Sequence, residues 1–157
     1  MRNLIPHGLL LLFLFTSTSV FAQTKTTTIN SEEIGTLNVS YLKLINEANQ
    51  KTDYAVYVIY KNQNYIYKQE SDTIRINSQP QLSQLISDLK AGLLVIDDET
   101  KGHIFTGHGY TLEKNTGYNE NKFLSFANKE KAIKTTLNKY FVNQLIDWLT
   151  AVPFGKG

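Results

Sequence analysis

No cysteine occurs anywhere in the 157 residues. Its absence excludes disulfide staples, thiol catalysis and thiolate metal sites together. Neither sign of charge dominates. Sixteen basic against 14 acidic residues leave a formal +2, and nucleic-acid binders normally show a basic face that such a balance does not supply. No Gly-x-Ser-x-Gly elbow, phosphate-cradling glycine loop, His-Glu-x-x-His helix or calcium loop can be found, so several enzyme classes lose their usual signatures. Long apolar runs are missing too. The densest, Leu9 to Phe15, is far short of the roughly 20 residues that a spanning helix needs.

That short run has a meaning of its own. Met1-Arg2-Asn3 is a basic start, the apolar stretch follows, and Ser17 to Ala22 is small and mostly polar. This order predicts a secretory signal peptide over residues 1–22, cleaved near Ala22, and a periplasmic or secreted protein. With no cysteine after the run, no lipid-bearing residue is expected, and no stable membrane anchor remains after cleavage. Cleavage removes Arg2 and no acid, so the charge of the mature chain stays near neutral.

Residues 23–36 are Thr-rich and read as a flexible polar lead-in. Residues 37–157 read as a single α+β domain. Leu37, Tyr41, Leu44, Ile45 and Ala48 fit a helical face, while Leu37, Val39 and Tyr41 also fit strand alternation; the segment from about Val39 is expected to be helix. Tyr54 to Tyr60 is aromatic and β-branched, apolar on both faces, and predicts a central strand. Tyr65 to Tyr67 and Thr73 to Asn77 are read as the next two strands of a meander. Pro80 suits the start of a helix whose stripe is Leu82, Leu85, Ile86 and Leu89, with Gly92 as its cap. Leu93 to Asp97 and His103 to Thr106 suggest a hairpin. Tyr110 to Leu112 and Phe123 to Phe126 suggest two further strands. Asn128 is placed as the cap of a final helix carrying Ile133, Leu137, Tyr140, Phe141, Leu145, Trp148 and Leu149. The expected fold is therefore one antiparallel sheet of about six or seven short strands, packed by two or three helices, the C-terminal one long and amphipathic. Residues 54–92 and 93–150 share a loose order of strands then helix, without a residue match that defines a duplication.

Three groups of side chains are candidates for chemistry. His103 and His108 flank a Gly107-containing stretch, with Asp97 just upstream; a general base or a small hydrolase would use such a set. The ordinary reading is a solvated turn with glycines at a bend, and five residues along a straight strand place the two imidazoles on opposite faces. Tyr57, Tyr65, Tyr67, His108 and Tyr110 are the expected binding residues, on the reasoning that tyrosines on a sheet face hold partners as well as each other. Trp148, with Tyr140 and Phe141, reads first as core. No metal site or cofactor is indicated. The function expected from these residues is an exported binding module for a protein, peptide or glycan. The alternatives are a small exported hydrolase or metal-dependent enzyme centred on His103 and His108, and an inhibitor or immunity protein of an exported enzyme.

Overall fold

The computed structural model describes residues 23–63, 70–98, 103–116, 122–129 and 133–155. Ten elements follow in order: β1 (Thr24–Ile34), β2 (Leu37–Asn46), β3 (Thr52–Lys61), β4 (Ser71–Ile76), α1 (Gln79–Val95), β5 (Ile104–Thr106), β6 (Tyr110–Thr116), β7 (Lys122–Asn128), β8 (Lys134–Leu137) and α2 (Lys139–Ala151). The fold is α+β, with two antiparallel four-stranded sheets, ordered β1-β2-β3-β4 and β5-β6-β7-β8. Among the described residues there are eight strands in two sheets and two helices, where one sheet of six or seven strands was expected.

The expected lead-in is a strand. β1 pairs with β2 along its whole length, and its run of β-branched threonines suits a pleated backbone. It looks like a linker in the sequence because it is an edge strand, with every side chain from Thr24 to Glu33 exposed. The helix expected from Val39 is β2. Leu37, Val39 and Tyr41 face the main core, while Leu42 and Leu44 bury on the opposite face beside Ala55 and Tyr57. A strand apolar on both faces mimics a helical stripe, and β2 is such a strand. β3 pairs directly with β4; the strand expected at Tyr65 to Tyr67 lies outside the described residues.

α1 begins where Ser78 accepts a hydrogen bond from the Gln81 backbone N–H, with Pro80 in the first turn. It runs on to Val95, so the strand expected at Leu93 to Asp97 is instead the last turn of the helix and its exit. Gly92 is therefore no cap. It lies inside the helix, against β7, where a Cβ would stand 2.6 Å from Leu124 Cδ1. The final helix is shorter than its apolar stripe suggests. Asn128 belongs to β7, Lys134–Leu137 is β8, and Asn138 is the true cap, accepting from Phe141 N at 3.0 Å. The two threonines at 135 and 136 favour the strand, and Thr135 and Leu137 alternate into the interior.

Both halves repeat the order of four strands and a helix. Buried Leu82, Leu85, Asp88 and Leu89 of α1 recur as Val142, Leu145, Trp148 and Leu149 at the same positions after the cap of α2. The two halves touch where β3 approaches the end of β7. Tyr60 and Asn128 meet: the Asn128 N–H donates to the Tyr60 hydroxyl at 2.7 Å. β4 lies beside β7, and β8 beside β3, the same relation with the halves exchanged.

Each helix is fastened to the sheet of the other half. From α1, Asp88 accepts from Tyr110 of β6 at 2.7 Å, and Gly92 admits Leu124 of β7. From α2, Phe141 covers Gly35, and the chain just beyond takes both sides of the Tyr41 hydroxyl, which donates to Pro153 O and accepts from Gly155 N. One continuous core results, drawing Val58, Ile76 and Leu85 from the first half and Leu112, Phe126 and Leu145 from the second.

Candidate functional site

Strand register lays out the face of the first sheet that points away from this core. One row across it reads Ser31, Ser40, Tyr57, Arg75, and the next reads Glu33, Asn38, Ile59, Thr73. Alternation forces this arrangement: Val56, Val58 and Tyr60 go inward, so Tyr57 and Ile59 go outward. Tyr57 is half-buried because it rests against Leu42, Leu44 and Ala55. The Arg75 guanidinium lies 5.6 Å from the Tyr57 ring centroid, a cation–π distance, and its Nε donates to Asn77. An aromatic ring with a cation above it is thus held on a firm apolar base.

This face leads into a cavity of about 450 Å³ at the β1–β2 turn, whose lining includes Glu33, Thr36, Asn38, Ile59, Lys61 and Ser71. A second, of about 470 Å³, is lined by Thr36, Gln63, Lys122, Phe123, Thr136, Asn138 and Phe141. Thr36 borders both. Its hydroxyl hydrogen-bonds that of Thr135 at 2.6 Å, and Gln63 Oε1 accepts from the Thr136 N–H at 2.9 Å. The two hollows therefore share Thr36, at a seam where these bonds link the two halves.

The residues expected from sequence are scattered rather than gathered. Tyr57 is on the outer face as described. Tyr65 and Tyr67 lie outside the described residues. Tyr110 is not on the surface: it is buried at 1 % exposure, with its hydroxyl on Asp88, because residue 110 begins β6 with its side chain inward. Burial, and then the Asp88 carboxyl, push that hydroxyl far above the usual tyrosine range. Burial likewise raises Tyr60 to about 12, opposed by the Asn128 N–H. His103 and His108 are exposed at opposite ends of β5, and neither borders either cavity. The expected hairpin that would have set Asp97 beside His103 is replaced by the exit from α1, and Asp97 pairs instead with Lys139 at the start of α2. The close approach that Gly107 permits is to Tyr110 itself: a Cβ there would meet the ring at 2.0 Å. Two Ser-x-x-Lys spacings do not assemble a nucleophile and base. β2 sends Ser40 and Lys43 to opposite faces, and Ser87 and Lys90 lie on the open side of α1. Among the described residues no three His, Asp or Glu side chains group as metal ligands.

Arg75, Asn38, Ile59 and Lys61 are the residues that sequence reasoning missed. Alternation alone places Arg75 opposite Ile74 and Ile76. Its partnership with Tyr57 depends on the β3–β4 register, which no local signal in the connecting loop reveals. Comparison with protein-family models, with curated proteins and with solved structures finds no match.

Proposed function

We propose that the chain is an exported binding module that holds a protein, peptide or glycan partner on the outer face of its first sheet. The observation that carries this is the Tyr57–Arg75 pair, fixed on a buried apolar base and continuous with a hollow that offers Glu33, Asn38, Lys61 and Ser71. Tyrosine supplies large contact area at low entropic cost, and arginine supplies directed donors; both are enriched among residues that dominate binding energy. The hydrolase alternative has no comparable support, since its two histidines stand exposed and apart.

The test is capture of a partner from the secreted or periplasmic fraction by the tagged full chain. Tyr57→Ala and Arg75→Ala are each expected to weaken the captured interaction at least tenfold, the usual scale for a central anchor. His103→Ala with His108→Ala is expected to leave it unchanged. A partner that follows the histidines and ignores Tyr57 would sink the proposal. N-terminal sequencing of the released protein checks the export part, with Gln23 as the expected first residue.

A further inference from the structure

Among the described residues β1 is a long strand at the edge of its sheet. β4 and β8 are turned towards the seam, and β5 has only three residues, so among the described residues β1 alone offers an extended row of backbone groups with no strand beyond it. Such an edge is a template for another strand. Its sequence, Thr-Lys-Thr-Thr-Thr-Ile-Asn-Ser-Glu-Glu-Ile, carries its cation at one end and its acids at the other.

The register shift between Thr28 and Asn30 is decisive. Before it, Lys25 and Thr27 share the core-side face, and Thr26 and Thr28 the outer face with their partners Leu44 and Leu42. After it, Asn30 and Glu32 take the core side beside Tyr41 and Val39, and Ser31 and Glu33 take the outer side. The extra residue, Ile29, thus inverts the alternation midway along the strand. Two antiparallel copies of β1, with Thr28 opposite Ile29 across a two-fold axis, then match face for face. Thr27 stands opposite Asn30, Thr26 opposite Ser31 and Lys25 opposite Glu32. Opposite charges directly across a strand pair attract, and paired hydroxyls hydrogen-bond. Ile29, a large apolar side chain left 44 % exposed, falls beside the axis. Moving the register by two residues, with Glu32 opposite Thr27, keeps the faces matched and loses both ion pairs.

We infer that β1 docks on β1 of a second copy of this chain, joining the two first sheets into one eight-stranded antiparallel sheet. The inference rests on the edge and its charges, independently of the binding reading. Eleven residues at the usual rise span about 37 Å, and a strip about 10 Å wide buries roughly 700 Å² in total. That is below the roughly 1,200 Å² of a stable interface, so the dimer forms in the micromolar range or weaker.

Sedimentation of the full chain, in whatever processed form the expression host delivers, tests this over micromolar to roughly millimolar concentration. A concentration-dependent dimer is expected. Lys25→Glu and Glu32→Lys each place like charges opposite one another twice per dimer, and each should weaken it tenfold or more. The double exchange restores opposite charges and should return the dissociation constant to within a few-fold of the starting value. Both side chains are exposed, so the variants are expected to remain folded, which circular dichroism checks. A chain that stays monomeric throughout, a dimer indifferent to both single exchanges, or a double exchange no better than the singles would each overturn the inference.

Discussion

Removal of one oxygen atom tests how the two halves are joined. Tyr110 of β6 is buried at 1 % exposure and donates to Asp88 of α1 at 2.7 Å; Asp88, itself buried, also accepts from Gln84 at 2.7 Å. Tyr110→Phe keeps the ring packed near Phe126 and deletes only the hydroxyl, so little apolar area changes. A buried carboxyl then loses one of two partners. Hydrogen bonds to carboxylates contribute about 1.5–3 kcal/mol, and stranding the acceptor costs towards the upper end. A loss of about 2 kcal/mol is expected. Asp88→Leu strands the tyrosine hydroxyl instead and should cost a similar amount. The double variant replaces both polar groups by apolar ones and should cost at least about 1 kcal/mol less than the sum of the singles. Urea unfolding followed by circular dichroism reads all three; with m near 2 kcal/mol/M, Tyr110→Phe moves the midpoint down by about 1 M. The reasoning fails if Tyr110→Phe shifts the midpoint by less than about a quarter of that, or if the single-variant losses simply add.

The glycines on either side of His108 should behave unequally. Gly107→Ala drives a methyl group into the Tyr110 ring and should cost about 3 kcal/mol or more in the same unfolding assay. Gly109 has φ of +80° and open space around it, so Gly109→Ala should cost about 1 kcal/mol, from the backbone alone. Equal losses would refute the packing role of Gly107. Alkaline pH should destabilise the fold through Tyr60 and Tyr110. Their hydroxyls are raised above the ordinary tyrosine value of 10, Tyr60 to about 12, so the folded chain keeps protons that the unfolded chain releases. Their contribution is complete below pH 10 and declines as pH rises towards 12, with Tyr60 alone accounting for on the order of 2 kcal/mol. Unfolding midpoints measured from pH 9 to pH 12 check this, and a flat profile contradicts it.

Local pattern carried much of the fold. Tyr54 to Tyr60 reads as a strand because β-branched and aromatic residues crowd it, and β3 is that strand. Ser78, Pro80 and the Leu82–Leu89 stripe place the start of α1 closely, since caps and helical stripes are properties of adjacent residues. The errors arose where a residue's surroundings come from distant chain. Gly92 reads as a cap until Leu124, from the other half, fills the space beside it. Residues 24–34 read as a linker because an edge strand with both faces exposed has no apolar alternation to display. Residues 37–46 read as a helix because two buried faces superimpose two alternating patterns. The candidate site divides in the same way: Tyr57 was legible by alternation, whereas Arg75 beside it depends on a register between strands.

The sequence by itself determined an α+β composition, a fold with no disulfide to hold it, and which tyrosines of β3 share a face. Those follow from residue type and period, which act over a few neighbours. Only the tertiary structure decided that the strands divide into two sheets, that each helix crosses to the other half, and that Tyr110 belongs to the core. Separate segments must bury their apolar faces against one another, and which faces fit together is a matter of shape and hydrogen-bond partners contributed from far along the chain.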